Sequence, residues 1–363
     1  MVSKEQVLEA LRGVMDPELH RNIVELGMVR EIDIHDKDIK VTIALTVPNC
    51  PLRDKIAADA GQAVDALEDG LNVEISLTAM TDKERDALRE MLQGRSQQAT
   101  GSLAGNLNKV KTVIAVMSGK GGVGKSTVAA MVAVGLRRKG RRVGVLDSDI
   151  TGPSIPKLFG VTDPPTMSPL GIMPPQTPLG IKVMSINLML ENEEQAVIWR
   201  GPMITSAINQ FWNDVFWGDL DALVVDMPPG TSDAAITVMQ SLPVSGIVLV
   251  TSPQDLAGMV VRKAAHMAEH LNTPLIGLVE NMSYVICPHC GERYTLFGKG
   301  DTKTMADQFG TPFLGEIGLD PEMTKLGDQG AIESYANSDF DETVRVVDAV
   351  IEAAPAPKFA GQS

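Results

Sequence analysis

The chain has 363 residues, of which 44% are hydrophobic and 21% are charged, a composition typical of a folded globular protein with one large or two smaller domains. Its formal net charge of −14 argues against a large constitutive nucleic-acid surface and against electrostatic docking on anionic lipid. Three cysteines are too few for a disulfide framework, and neither a secretory signal nor a membrane-length apolar run is present, so we expect a cytoplasmic protein.

Residues 1–81 are expected to form a small α/β domain. Ser3 is suited to cap a first helix whose apolar residues recur at helical spacing, and a second helix is predicted over 51–70. Three apolar or alternating stretches predict strands, over 29–34, 39–46 and 71–77. These elements would make a unit separate from the rest of the chain.

Cys50 is a candidate accessory site residue of this first domain. It precedes Pro51, which suits the first position of the second helix, so the thiol is expected at a helix N-terminus. The helix dipole lowers the pKa of a thiol there and favours the thiolate, the form that binds metals and acts as a nucleophile. The alternative is a small, buried, apolar cysteine.

The composition changes after residue 81, where a charged stretch runs into one rich in Gln, Ser, Gly and Asn. Such a composition is typical of a flexible linker, to which we assign residues 82–108. The second and larger domain is expected over residues 109–355, followed by a short tail over 356–363.

A glycine-rich loop opens the second domain, between an apolar β-branched run at 113–116 and an apolar, helix-favouring stretch at 128–136. This context is what a phosphate-binding P-loop requires, because glycine lets backbone N–H groups converge on a polyphosphate at a helix N-terminus. The residues expected to bind nucleotide here are Gly119, Lys120, Gly121, Gly122, Val123, Gly124, Lys125, Ser126 and Thr127. Lys125 is expected to reach the β- and γ-phosphates, and the Ser126 hydroxyl to hold Mg²⁺. Lys120 lies too far round the loop to duplicate Lys125 and is suited to reach the phosphates of a facing subunit.

Three carboxylates follow predicted strands of the second domain, and open parallel sheets bind ligands at the carboxyl ends of their strands. Asp147 is expected to contact Mg²⁺ through water, and Asp149 to polarise the attacking water. The apolar run leading into Asp226 matches the Walker B pattern, so Asp226 is expected to support Mg²⁺ indirectly. Residues 227–233 form a stiff loop suited to sense the γ-phosphate, and the proline-rich stretch 163–178 predicts an irregular surface loop.

Asn281 closes one of two further buried strands, which are predicted over 246–251 and 275–279. Its side chain is suited to reach a purine edge, and the chain lacks an Asn/Thr-Lys-x-Asp guanine motif, so adenine is favoured. Three helices are predicted to close the sheet, over 302–309, 321–326 and 340–353.

The second chemical feature is Cys287-Pro288-His289-Cys290, a CxxC pair that presents two sulfurs to one metal. One pair is half of a four-cysteine site, and two pairs in a two-fold dimer complete a site for a [4Fe–4S] cluster or zinc. A zinc site within one chain would need His289 or the distant Cys50 as well. The remaining alternative is a redox or merely structural thiol pair, for which no thioredoxin-like strand precedes the motif.

These motifs resemble one family over nearly the whole chain. The 120–127 loop with its two lysines is similar to the deviant Walker A of the ATPases that include the nitrogenase iron protein, MinD, ParA and the arsenite pump ATPase. Four further motifs are similar to the Mrp/ApbC branch of iron–sulfur cluster carrier ATPases, at 147–154, 226–233, 280–283 and 287–290. The first 80 residues resemble the MIP18 domain in three motifs, Asp16-Pro17-Glu18, 23–27 and Asn49-Cys50-Pro51.

The resemblance implies an α/β P-loop NTPase fold, with a mostly parallel sheet flanked by helices, plus the small N-terminal α/β domain. It implies a homodimer that binds ATP and Mg²⁺ and holds a labile [4Fe–4S] cluster on Cys287 and Cys290 of both subunits, with Lys120 crossing the dimer. Slow ATP hydrolysis would gate delivery of the cluster from a donor to apoproteins. The acidic charge and the lack of a basic amphipathic helix at the C-terminus argue against nucleic-acid and membrane partners. The alternatives are a positioning ATPase similar to ParA or MinD and a redox ATPase similar to the nitrogenase iron protein. Long eukaryotic members carry four cysteines where this chain has only Cys50, so a second stable cluster per protomer is not expected.

Overall fold

The computed structural model describes most of the chain, namely residues 2–16, 21–45, 53–68, 70–81, 83–84, 103–150, 152–190, 201–231, 233–298 and 300–355. Cys50, most of the predicted linker and the tail 356–363 lie outside the described residues. The chain divides into two compact units, one formed by 1–107 with 166–173 and the other by 108–165 with 174–363.

The first unit is built on a three-stranded sheet. Its elements in chain order are α1 (Lys4–Leu11), β1 (Met15–Asp16), β2 (Arg21–Asn22), β3 (Val29–His35), β4 (Asp38–Leu45), α2 (Arg53–Asp65), β5 (Asn72–Ala79) and α3 (Leu103–Leu107). The central strand β4 pairs antiparallel with β3 and parallel with β5. Ser3 caps α1 through a capping box with Gln6, as its position before the helix predicted. In α2 the buried residues Ile56, Ala60 and Val64 recur every fourth position and form the apolar face.

The chain after residue 108 supplies the larger unit and one hairpin of the first. Its elements are β6 (Lys109–Val110), β7 (Val113–Ser118), α4 (Lys125–Arg138), β8 (Val143–Asp147), α5 (Ile155–Phe159), β9 (Thr166–Ser168), β10 (Gly171–Met173), β11 (Lys182–Ser185), α6 (Gly201–Asn213), β12 (Asp219–Leu220), β13 (Ala222–Asp226), α7 (Asp233–Ser241), β14 (Gly246–Thr251), α8 (Asp255–His270), β15 (Leu275–Asn281), β16 (Val285–Ile286), β17 (Arg293–Tyr294), α9 (Thr302–Gln308), β18 (Phe313–Ile317), α10 (Pro321–Asp328) and α11 (Asp341–Ala353). Short 3₁₀ segments lie at Ile186–Met189, Ile332–Ser334 and Ser338–Phe340.

The prediction of an irregular loop over 163–178 is wrong, because β9 and β10 form an antiparallel hairpin there. Its turn reads Ser168-Pro169-Leu170-Gly171, and Ser, Pro and Gly occupy the first, second and fourth positions that a type I turn favours. The other prolines flank the two strands, where they remove no ladder hydrogen bond. The prolines therefore mark the turn and the two ends of a β-hairpin.

A seven-stranded parallel sheet forms the centre of the larger unit, in the order β11-β8-β13-β7-β14-β15-β18. Helix α4 lies in the main hydrophobic cluster together with residues of α11 and of the strands, so the prediction of a parallel sheet flanked by helices is confirmed. Because all seven strands run the same way, their carboxyl ends meet at one edge of the sheet. Among the described residues, no helix combines the length and the apolar character that a membrane crossing needs.

Candidate functional site

The P-loop connects β7 to the start of α4 at the carboxyl edge of the sheet. Gly122 and Gly124 have φ of 79° and 76°, in the left-handed region that glycine adopts without steric cost. A Cβ at Gly122 would meet nothing within 4 Å, whereas a Cβ at Gly124 would lie 2.2 Å from the Nδ2 atom of Asn281. The loop is therefore open on one side and packed on the other, a shape that fits a polyphosphate cradle.

Lys125 lies at the centre of this edge and forms a buried ion pair with Oδ1 of Asp226. Its Nζ atom also lies 3.3 Å from the Ser126 hydroxyl, in the first turn of α4. The other carboxylate oxygen of Asp226, Oδ2, is buried and has no hydrogen-bond partner among the described residues. A buried carboxylate oxygen without a partner beside a serine hydroxyl fits a hard divalent cation such as Mg²⁺, which prefers oxygen ligands.

Asp147 stands beside Asp226, because the last residues of β8 and β13 are register partners. Its carboxylate is fully buried and accepts the backbone N–H groups of Ser154 at 2.9 Å and Ile155 at 3.1 Å, at the start of α5. Burial, and then the neighbouring charge of Asp226, raise the pKa of Asp147 to about 8. Burial also raises the pKa of Asp226, against which the adjacent Lys125 favours the ionised form. The buried edge therefore disfavours two ionised carboxylates side by side, and Lys125 is the cation that offsets this cost at Asp226.

The raised pKa of Asp147 makes the stability of the magnesium-free chain depend on pH. Between the ordinary value near 4 and about 8, the folded chain holds a proton that the unfolded chain releases, so stability falls as pH rises through this window. We expect Asp147→Asn to remove this loss. From pH 6 to 8, the free energy of unfolding of the variant should rise relative to that of the wild type by about 1 kcal/mol per pH unit. Thermal unfolding without Mg²⁺ or nucleotide measures the difference.

Asp348 offers the matched control for that experiment. Although burial opposes the shift, Arg141 and Lys139 hold the pKa of Asp348 below its usual range, so it is ionised in both states above pH 6. Asp348→Asn should therefore change stability by the same amount at every pH from 6 to 9. If the stability difference between the wild type and Asp147→Asn were likewise independent of pH, the raised pKa of Asp147 would be contradicted.

Two other predicted site residues lie at the same edge. Lys120 is half-buried, and its Nζ atom donates a hydrogen bond to Oε1 of Gln254, on the loop after β14 of its own chain. The contact of Lys120 with the nucleotide of a facing subunit therefore stays a prediction. Asp149 is half-buried, and its Oδ1 atom accepts the N–H of Gly152 at 3.3 Å. The loop after Asp226 packs on the P-loop, where the N–H of Gly230 donates to the carbonyl of Ser118 at 2.9 Å.

Asn281 contacts the phosphate-binding loop itself. Its Nδ2 atom donates to the carbonyl of Val123 at 2.8 Å, and the side chain is only 2% exposed. Its Oδ1 atom is buried without a hydrogen-bond partner among the described residues. The predicted role in reading adenine stays a prediction, whereas the support of the P-loop from β15 was not foreseen from the sequence.

The two cysteines lie in the turn of the β16–β17 hairpin, which follows β15 and is defined here as the cysteine hairpin (residues 285–294). Cys290 is exposed and Cys287 half-buried, and neither forms a disulfide. The N–H of Cys290, and then that of His289, lower the pKa of Cys287 and favour its thiolate. In the described part of the chain, no group of three or more His, Cys, Asp or Glu side chains is arranged to hold a metal, so this pair lacks further protein ligands of its own chain there.

The base of the cysteine hairpin is attached to the rest of the unit by side chains that sequence analysis missed. The guanidinium of Arg293 lies 3.5 Å from the centre of the Tyr284 ring and forms an ion pair with Glu316 on β18. The Tyr284 hydroxyl donates to Asp339 at 2.6 Å, and burial together with this carboxylate raises the pKa of Tyr284 to about 12. The partners are far apart in the chain, so no local pattern connects them.

Exposed apolar side chains lie on the cysteine hairpin and directly after it. Four of them form a set that we call the hairpin patch, with exposures of 59%, 47%, 50% and 45% for Ile286, Tyr294, Leu296 and Phe297 respectively. Exposed apolar side chains mark interaction surfaces where they form a contiguous patch.

Two family models and several known proteins are similar to this chain. The family profile described as NUBPL iron-transfer P-loop NTPase matches residues 109–353, and the profile described as iron-sulfur cluster assembly protein matches residues 4–77. The chain is 40% identical to a protein of Synechocystis named iron-sulfur cluster carrier protein, over 91% of each sequence. It is 42% identical to a Mycobacterium leprae protein of the same name, over 90% of this chain and 86% of that one. It is also similar to the solved structure of a nucleotide-binding protein from Archaeoglobus fulgidus in complex with ADP and with cobalt, at 45% identity and a TM-score of 0.60, covering 66% of this chain and 95% of that chain.

Proposed function

Because this chain belongs to the family of NUBPL iron-transfer P-loop NTPases, we propose that it carries [4Fe–4S] clusters to apoproteins as a homodimer, with ATP binding and slow hydrolysis gating delivery. The observation that carries the proposal is the position of the cysteine hairpin. It follows directly on β15, whose last residue, Asn281, is hydrogen-bonded to the P-loop. In this proposal the nucleotide site and the cluster site are joined by the short stretch of chain that follows β15.

The homodimer follows from the number of ligands. A [4Fe–4S] cluster is held by four cysteine thiolates, and each chain offers Cys287 and Cys290 in its hairpin. Two copies related by a two-fold axis bring four thiolates together. The hairpin patch supports this arrangement, because apolar side chains around a bridged cluster would be buried between the copies and would exclude water from it.

The nucleotide would be ATP, held by the backbone of residues 119–127 and by Lys125. Binding of its phosphates requires Lys125 to exchange part of its ion pair with Asp226 for a phosphate contact. Mg²⁺, when bound, would supply a positive charge that draws electron density from the phosphates, with Ser126 as its protein ligand. Asp147 and Asp226 would orient water around this ion, Asp149 would orient the attacking water, and Lys120 would act on the nucleotide of the partner.

The cluster would come from a donor protein and pass to apo iron–sulfur proteins in the cytoplasm. Three cysteines in 363 residues suit a reducing compartment, and the net charge of −14 argues against nucleic acid and anionic lipid as partners. Cys50 remains a candidate contact for donor or acceptor.

Anaerobic reconstitution with iron and sulfide tests the proposal. We expect about four irons per dimer, as a cubane cluster with four thiolate ligands requires, together with transfer of the cluster to an apo-enzyme at a rate that ATP changes. Cluster loading onto a monomer would contradict the bridging arrangement. A loaded cluster that cycles reversibly in a redox titration and never leaves would instead favour an electron-donating ATPase.

The hairpin patch provides a prediction for the dimer itself. The double variant Leu296→Glu/Phe297→Glu puts two charges into the proposed contact. We expect the dissociation constant of the cluster-free dimer to rise at least about ten-fold. Analytical ultracentrifugation in the presence of ATP measures it. Leu179, which is 36% exposed and lies outside the patch, is the control, and Leu179→Glu should leave the dimer intact. Equal weakening by both variants would argue against the patch.

A further inference from the structure

The two cysteines lie in the stretch of chain between β15 and α9, residues 282–301, which we call the cysteine segment. A single buried carboxylate contacts both ends of this segment. Glu280 is 3% exposed. Its Oε1 atom accepts the hydroxyl of Ser283 at 2.6 Å, before the cysteine hairpin, and its Oε2 atom accepts the hydroxyl of Thr302, after it. Two hydroxyls from opposite ends of the segment thus donate to the same side chain, so both ends are fixed to one point of β15.

The returning end packs directly against this carboxylate. A Cβ at Gly300 would lie 1.9 Å from Oε2 of Glu280, so only glycine permits the approach. The backbone at Gly300, on the far side of the cysteine hairpin, therefore lies in close contact with the Glu280 carboxylate.

The neighbouring residue, Asn281, makes the corresponding contact with the nucleotide site. Its Nδ2 atom donates to the carbonyl of Val123, and a Cβ at Gly124 would lie 2.2 Å from it. Consecutive side chains of a strand point to opposite faces, so Glu280 and Asn281 reach away from each other out of the same piece of backbone. One peptide unit thus joins the P-loop to both ends of the cysteine segment.

We infer that Glu280 is a positioning residue that couples the nucleotide state of the P-loop to the geometry of Cys287 and Cys290. The inference rests on the proposed function and deepens it. A shift of Val123 on nucleotide binding moves Asn281, the shared backbone moves Glu280, and Glu280 moves both ends of the cysteine segment together. Glu280 touches neither nucleotide nor cluster in this role.

The test measures the coupling in the cluster-free full-length chain, where it does not depend on cluster transfer. The readout is the alkylation rate of the peptide that contains Cys287 and Cys290, followed by mass spectrometry so that Cys50 is counted separately, with and without a non-hydrolysable ATP analogue. In the wild type we expect the analogue to change this rate about five-fold, which is the lower end of common allosteric couplings. ITC (isothermal titration calorimetry) measures the affinity for the analogue in parallel.

Thr302→Val removes one of the two hydrogen bonds and keeps the shape of the side chain. We expect it to reduce the effect of the analogue to less than about two-fold while the affinity for the analogue stays within about two-fold of wild type, because a coupling and an affinity are separate quantities. Glu280→Gln keeps an acceptor and a polar group at both sites, so it should retain more of the effect than Glu280→Ala.

Thr343 provides the matched control, because its hydroxyl is buried without a hydrogen-bond partner among the described residues. Thr343→Val should keep the full effect of the analogue. The inference would be overturned if Thr302→Val and Glu280→Ala kept the full effect of the analogue on the alkylation rate. It would also be overturned if Thr343→Val lost as much of this effect as they do. A wild-type alkylation rate that ignores the analogue would overturn it as well. The carrier proposal fails separately, if the wild type binds no ATP or loads no cluster.

Discussion

Replacing Cys287 with alanine is expected to abolish cluster binding and to leave nucleotide binding unchanged. The cysteine lies in the turn of an exposed hairpin, and its thiolate is favoured by the N–H groups of Cys290 and His289. Removing it leaves two thiolates in the dimer where a cubane cluster needs four ligands. The visible absorption of the reconstituted chain should lose its iron–sulfur bands, while calorimetric titration with ATP should give the wild-type affinity.

Two variants separate this role from the alternatives. His289→Ala should retain the cluster, because His289 acts on Cys287 through its backbone N–H, which alanine keeps. Cys50→Ala should also retain it, if the hairpin cysteines are the only ligands. A normal iron–sulfur spectrum in Cys287→Ala would refute the bridging site, and its loss in His289→Ala would point to a zinc-type site that uses the imidazole.

Lys125→Ala is expected to stop nucleotide binding and hydrolysis and to destabilise the larger unit by about 3 kcal/mol, since it leaves a buried carboxylate without its partner. Asp226 would then stand beside Asp147 with no compensating cation. The cysteine hairpin is separate from this pair, so the cluster should still load, but its transfer should no longer respond to ATP. Thermal unfolding and a phosphate-release assay measure the two effects.

The double variant Lys125→Ala/Asp226→Asn distinguishes the structural from the catalytic effect. Removing the unpaired charge should restore most of the lost stability, because an amide at this position carries no desolvation penalty for an ion. Hydrolysis should remain absent, since both the phosphate contact and the carboxylate near Mg²⁺ are gone. Wild-type hydrolysis in Lys125→Ala would show that Lys125 does not bind phosphate.

Local patterns were sufficient for the parts of the site that are continuous in the chain. The P-loop could be predicted because its glycines, its lysine and its helix start lie within a few residues, and their conformations are set by adjacent backbone. The CxxC pair was recognisable for the same reason. The proline-rich stretch predicts a loop, but the Ser-Pro-Leu-Gly turn within it joins two paired strands.

Residue identity did not reveal how distant strand ends combine. Asp147 and Asp226 were each expected at the end of a strand, but only the order of the strands makes them neighbours and raises the pKa of Asp147. Likewise, Asn281 was expected to read a base, and the packing of β15 against the P-loop brings its amide to Val123. Such contacts depend on sheet order, which a single sequence does not specify.

The residue pattern alone was enough to identify the reactive groups of this chain: a glycine-rich P-loop with two lysines, three carboxylates at strand ends and a pair of thiols. These are properties of side chains and of short-range backbone geometry, so they can be read without the fold. The contacts of Asn281 with the P-loop and of Glu280 with Ser283 and Thr302 became apparent only from the fold, because they are hydrogen bonds between residues up to 158 positions apart. Burial and strand order bring these groups together, and both arise from packing of the whole unit.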